Sequence, residues 1–189
     1  MFFKLRYIRD YIIASGIKSF FFWIVKIVLV LVVGFLATIA LGKTTVMQDG
    51  SMGPTLLTGD LTLTDRFSYQ IGAPARGDII AFKLSDEEMA SIHIKRVIGL
   101  PGETIQIIDG KIFIDEKEYK ETENFPKIEN PGMAEEIIKL GSNEYFVLGD
   151  NRNSSEDSRF LAVGTVEKEQ IIGKIWCIIS PKERMKLVK

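Results

Sequence analysis

The hydrophobic positions fall into two regimes that divide the chain near residue 42. From Ser19 to Gly42 they are continuous: 24 residues, SFFFWIVKIVLVLVVGFLATIALG, carry one charge, at Lys26. At 1.5 Å per residue a helix of this length spans roughly 36 Å, enough to cross about 30 Å of hydrocarbon with some tilt. Lys26 lies toward the N-terminal end, where its stem can reach back to the interface, and Phe20, Phe21, Phe22 and Trp23 cluster at the same boundary. A cleaved signal peptide is the competing reading, since Thr38-Ile39-Ala40 offers small residues at a plausible cleavage spacing. Its apolar run is ordinarily about 7–15 residues, shorter than this one, so the pattern predicts a retained anchor.

Beyond Gly42 the apolar positions alternate or come in short runs. Leu61-Thr62-Leu63-Thr64 repeats with period two, as a half-buried strand does. Asp78 to Phe82 and His93 to Ile98 read as more fully buried strands. Thr104 to Ile108 and Lys111 to Ile114 flank Asp109-Gly110, a dipeptide suited to a type I′ hairpin turn. Tyr145 to Leu148 and Lys174 to Ile179 complete the strands, and Glu167 to Ile171 reads as a short helical turn. About eight strands with scattered turns predict an all-β domain, a coiled or partly closed sheet. Between Asp115 and Glu144 the pattern weakens: nine acidic residues against four lysines, with Pro126 and Pro131, read as a solvated face.

Charge adds a direction. Lys4, Arg6, Arg9 and Lys18 precede the apolar run against one acid, Asp10, so the positive-inside rule puts the N-terminus in the cytoplasm. The expected division is a cytoplasmic segment over 1–18, a transmembrane helix over 19–42 and an extracytoplasmic domain over 43–189. The formal net charge of −1 gives no field that favours nucleic acid. The single Cys177 excludes an intramolecular disulfide, and with the lone His93 it cannot make a zinc site of ordinary ligand count. No metal or cofactor is expected.

The candidate chemistry begins at Ser51-Met52-Gly53-Pro54, a serine on a tight turn, followed 44 residues later by Lys95 among Ile94, Val97 and Ile98. Burial disfavours a charged lysine, and a neutral amine beside a hydroxyl can take its proton as Oγ attacks a carbonyl. Each part alone is weak, because Ser and Gly-Pro mark ordinary turns and most strand lysines face water. A third segment strengthens them: Gly149 to Arg159, GDNRNSSEDSR, has no apolar side chain and is dense in donors and acceptors. It is not a calcium loop, since Arg152 puts a cation among the alternate positions.

With these residues together, the chain resembles the bacterial type I signal peptidases, membrane-bound serine proteases that remove signal peptides from exported proteins. The matching blocks are Ser51 to Leu56, Gly59-Asp60, Arg76 to Ile80, Lys95 to Gly102, and Gly149 to Arg152 with Ser155, Asp157, Ser158 and Arg159. Its single span is closer to the Gram-positive form. The resemblance implies Ser51 as nucleophile and Lys95 as general base, with Ser155 orienting Lys95. It implies an Asp157–Arg159 ion pair, Asp150 and Arg96 as further supports, and the Ser51 N–H as oxyanion donor. It implies a signal peptidase fold of coiled β-sheets with a small inserted subdomain, placed at about 115–144. It also implies an apolar floor of Met47, Met52, Leu56 and Ile94, with preprotein signal peptides and membrane lipid as partners of a monomer.

Two residues depart from the family pattern. Asp49 stands two before the nucleophile, where some members have a hydroxyl and others glycine, and an ionised carboxylate cannot donate to an oxyanion. Either it points away or the hole relies on other donors. His93 stands where a tyrosine is usual, on the same strand face as Lys95 by period two, and is read as a packing residue. Only eight residues separate Gly42 from Ser51, at most roughly 30 Å of extended chain, which holds the nucleophile near the membrane. A self-cleaving repressor-like Ser–Lys peptidase is disfavoured by the span and by the Gly149 to Arg159 loop. A scaffold that only binds is disfavoured by the intact Ser51 and Lys95.

Overall fold

The computed structural model describes residues 18–35, 42–85 and 91–188. The chain divides into two compact units, Met1–Leu41 and Gly42–Lys189. The first holds helix α1, Lys18–Phe35, long and apolar enough to cross a membrane. Its Phe, Trp, Val, Leu and Ile side chains are exposed all round, which calls for an apolar surrounding. Lys26 leans one turn back, its Nζ 4.4 Å from the Phe22 ring centroid and 5.3 Å from that of Trp23. Lys4, Arg6, Arg9 and Asp10, and residues 36–41 of the expected span, lie outside the described residues.

The second unit is all-β. Its strands are β1 (Lys43–Val46), β2 (Leu61–Asp65), β3 (Ile79–Phe82), β4 (His93–Gly99), β5 (Thr104–Ile108) and β6 (Lys111–Ile114). They continue as β7 (Lys117–Glu118), β8 (Ile138–Lys139), β9 (Glu144–Leu148), β10 (Val166–Glu167), β11 (Ile171–Ser180) and β12 (Lys186–Leu187). An antiparallel sheet runs β1-β2-β11-β3-β4-β9-β10, with β12 also on β11, and a second runs β7-β6-β5-β8. Strand β11 pairs with β3 through Ile171 to Lys174 and with β2 through Lys174 to Ser180, with register shifts on both sides. Such irregularities bend a strand and curl its sheet.

Three apolar clusters hold these layers. Ile105, Ile107, Ile112 and Ile114 of the second sheet pack on Ile98, Phe146 and Leu148 of the first. Ile80, Phe82, Val97, Tyr145 and Val147 form another, and Met47, Met52, Leu56, Ile79 and Ile94 a third. Each wholly buried Ile or Leu contributes roughly 2 kcal/mol of transfer free energy. Alternating burial along β5 and β6 puts Ile105, Ile107, Ile112 and Ile114 on one face and leaves Ile108 exposed, and the turn between the strands has Asp109 at φ 50 and Gly110 at φ 74. Two successive positive φ values are what the type I′ turn requires.

The stretch from Asp115 to Glu144 is less solvated than its charge implies. Ile128, Ala134 and Leu140 are buried in the first cluster, and the second sheet already starts at Thr104. The expected helical turn near Glu167 is a 3-10 turn over Lys168–Gln170, with Glu167 and Gln170 forming a capping box. Strands β1, β7, β8, β10 and β12 carry no period-two apolar signal, being short or mostly exposed.

Candidate active site

Three segments converge in the second unit. Ser51 opens a turn in which Gly53 N–H donates to Gly50 C=O (3.2 Å) and Leu56 N–H to Met52 C=O (3.0 Å). Met52 and Leu56, both wholly buried, anchor this turn in the core. Lys95 lies in β4 between β3 and β9, opposite Ile80, and is 1% exposed. Its Nζ donates to Ser51 Oγ at 2.6 Å, across 44 positions of sequence. Burial lowers the Lys95 pKa, while the charges of Asp49, Asp157 and Glu156 oppose the shift without cancelling it.

The loop from Gly149 to Arg159 clamps the serine turn from the other side. Asn151 N–H donates to Ser51 C=O at 2.9 Å and its side-chain amide to Gly50 C=O at 3.2 Å. Asp150 accepts both Nε and Nη2 of Arg96 at 2.7 Å and the hydroxyl of Thr55 at 2.5 Å, tying loop, strand and serine turn together. Asp157 accepts Arg159 Nε at 2.8 Å and Nη2 at 2.9 Å, and also takes the Gly149 N–H at 3.0 Å. Both members of each pair are buried, so their planar two-point contacts compensate charges withdrawn from water.

Gly149 has to be glycine. An added Cβ would stand 2.1 Å from Ser155 Oγ and 2.5 Å from Ser51 C=O. The contact brings Ser155 against the serine turn, yet the expected hydrogen bond from Ser155 to Lys95 is not formed. Ser155 Oγ is buried without a hydrogen-bond partner, because Lys95 Nζ is turned to Ser51 instead.

The two departures from the family pattern take definite positions. Asp49 does not point away: its Oδ1 accepts the Ser51 N–H at 2.9 Å. The N–H expected to serve an oxyanion is therefore occupied by a carboxylate. An aspartate that bonds the backbone two residues on is a common turn device, so the Asp49-Gly50-Ser51 spacing carried this signal. Burial raises the Asp49 pKa, but the bonds from Ser51 and the charges of Lys95 and His93 outweigh it and hold the carboxyl below its usual value. His93 stacks on Phe82 at 5.5 Å and 27°, and burial followed by the Lys95 charge lowers its pKa. Both features suit a neutral packing residue.

A cleft of about 200 Å³ opens at Asp49, lined also by Met47, Ile92, His93 and Ile94 among others. Met47 and Ile94 line this cleft but are only 2% and 3% exposed, and Met52 and Leu56 lie in the same core cluster with no exposed surface. Thr55 and Asn151 fall inside the matching blocks but were given no role there, and sequence reasoning missed Glu121, whose carboxylate binds the Arg152 guanidinium. Arg152 and Arg96 both stack on Phe125, at 4.4 and 5.3 Å. These contacts join positions far apart in the chain, and no local pattern announces them. Among the described residues, no group of three His, Cys, Asp or Glu side chains could hold a metal ion.

A family described as "Signal peptidase, peptidase S26" matches residues 20–179. The chain is 32% identical over 174 residues to signal peptidase I P of Bacillus subtilis subsp. natto, covering 88% of this chain and 92% of that one. It is 34% identical over 165 residues to signal peptidase I of Leptolyngbya laminosa, covering 81% and 79%. A crystal structure of a signal peptidase I from Enterococcus faecalis V583 aligns at TM-score 0.41 and 31% identity, over 53% of this chain and 95% of that one. The family match takes in the Ser51 turn, strand β4 and the Gly149 to Arg159 loop, and the chain belongs to the signal peptidases of peptidase family S26.

Proposed function

We propose that the chain is a membrane-anchored serine endopeptidase that removes N-terminal signal peptides from exported preproteins, with Ser51 as nucleophile and Lys95 as general base. The observation that carries this reading is the 2.6 Å contact between Lys95 Nζ and Ser51 Oγ in a buried site. Neutral Lys95 accepts the Oγ proton as Oγ bonds to the scissile carbonyl carbon, and the oxygen takes the negative charge. The resulting ammonium returns its proton to the leaving amine as the C–N bond breaks, leaving an acyl-enzyme. Lys95 then takes a proton from water as the water oxygen attacks the acyl carbon, and gives that proton to Ser51 Oγ as the C–Oγ bond breaks, which restores both groups. Asp150–Arg96 and Asp157–Arg159 hold the loop that grips the serine turn, and the cleft lined in part by Met47 and Ile94 is where the substrate would lie.

The segment over 1–18 lies in the cytoplasm, 19–42 crosses the membrane, and 43–189 works outside, where a signal peptide's cleavage point emerges. The reading of orientation rests on the basic residues before α1. The test is cleavage of a preprotein by the full chain in detergent, comparing the parent with Ser51→Ala and Lys95→Ala. The parent should cut at one site and both variants should fail. An inert parent would leave a binding scaffold as the answer.

A further inference from the structure

Asp49 is an exposed residue, yet its carboxylate is bonded to the backbone of the serine that faces Lys95. Asp49 Oδ1 sits 2.9 Å from the Ser51 nitrogen, within the distance at which an oxyanion donor holds its charge. The backbone N–H that should meet a developing O⁻ is already satisfied by an O⁻ of the protein's own. A substrate carbonyl that needs this donor has to displace the carboxylate first.

We propose that Asp49 is a positioning residue for the Ser51–Lys95 reaction: its carboxylate fills the oxyanion position of the resting site and yields it to the scissile carbonyl on substrate binding. The inference rests on the reading of Ser51 and Lys95 as the reacting pair. It adds a link between binding and basicity. While Asp49 stays, its negative charge stabilises the Lys95 ammonium, together with Asp157 and Glu156, against the burial that favours the amine. When Asp49 moves off, Lys95 loses that counter-charge and releases its proton to solvent more readily. Substrate entry thus frees the N–H donor and readies the base in one movement. His93 borders the same cleft and also feels Asp49, Lys95 and Glu156, so its charge is part of the balance.

Two substitutions separate the parts of this role. Asp49→Asn keeps an acceptor oxygen for the Ser51 N–H but removes the charge. Asp49→Ala removes both. The experiment measures kcat and KM for preprotein cleavage across pH with the full chain in detergent, alongside the parent, Lys95→Ala and a melting curve for each. The pH midpoint of kcat/KM should fall in both variants by about half a unit or more, as expected when a nearby opposite charge is lost. Asp49→Ala should further raise kcat/KM several-fold over Asp49→Asn at a pH above both midpoints, because its donor needs no displacement. Parental midpoints in both variants, or a loss of activity in Asp49→Ala that Asp49→Asn restores with no pH shift, would overturn the proposal and make Asp49 a turn cap. Retained cleavage by Lys95→Ala would instead overturn the Ser51–Lys95 reading, and this proposal with it.

Discussion

Asn151 holds Ser51 by the backbone: its N–H donates to the Ser51 carbonyl at 2.9 Å, across one hundred positions of sequence. The position of Ser51 therefore depends on the Gly149 to Arg159 loop as much as on its own turn.

The proposed roles of Ser51 and Lys95 give the most direct expectation. Ser51→Ala and Lys95→Ala should each abolish preprotein cleavage, since each group acts only with the other. Lys95→Arg should be equally inactive, because a guanidinium does not release its proton at accessible pH. Turnover by Lys95→Arg, read as appearance of the processed product on a gel, would point to another base, with His93 the first to examine.

Acidity supplies a second. Burial lowers the Lys95 pKa from 10.5, so the cleavage rate should climb with pH to a midpoint below that value. Stability follows the same sign. Between the folded pKa and the higher unfolded one, the unfolded chain binds more protons, so Lys95 destabilises the fold at low pH and less as pH rises through its folded pKa. Lys95→Met should remove this slope, gaining on the order of 1 kcal/mol at neutral pH while losing activity. Melting curves of the two proteins at several pH values should converge toward alkaline pH.

The loop ion pair is the third. Asp157→Ala leaves the Arg159 guanidinium buried without its carboxylate and the Gly149 N–H without its acceptor, a loss on the order of 3–5 kcal/mol. The melting temperature should drop by roughly 10 °C, and cleavage should fall with it. Ser155→Ala should behave oppositely in stability, melting at or above the parent temperature. The hydroxyl it removes is buried and unpaired.

Close packing at Gly149 yields the fourth. In Gly149→Ala the new methyl would overlap Ser155 Oγ and the Ser51 carbonyl, and the carbonyl is backbone that cannot rotate away. The loop must shift, at a cost of about 1–3 kcal/mol, and Ser51 shifts with it. A variant that melts and cleaves like the parent would mean the loop can retreat without disturbing the serine.

How much of this was legible depended on how local the signal was. The β5–β6 hairpin could be read because Asp109-Gly110 and its flanking isoleucines carry turn type and burial in consecutive residues. Strand β3 was legible as a buried run for the same reason. Strand β1 was not, since Lys43-Thr44-Thr45-Val46 has one buried position and owes its conformation to pairing with β2. At the site, residue types and family spacing pointed to Ser51 and Lys95, whereas the acceptor for the Ser51 N–H was signalled only by the Asp49-Gly50-Ser51 turn spacing, which was not read that way. The acidic stretch misled most. Its charges suggested solvent, yet Glu121 is taken up by Arg152 and Ile128 by the core.

That uptake limits how far the protein could be trimmed. Arg152 is held by Glu121 and Phe125, and Arg159 Nη1 by the carbonyl of Asn130 at 3.0 Å. A minimised enzyme with residues 104–139 replaced by a short linker would keep Ser51, Lys95 and the whole loop sequence. It would also leave the buried Arg152 guanidinium without its carboxylate and Arg159 Nη1 without its acceptor, although Asp157 would still hold the rest of Arg159. An engineer, or a lineage shedding sequence, could shorten this region only by leaving acceptors where Glu121 and Asn130 now stand.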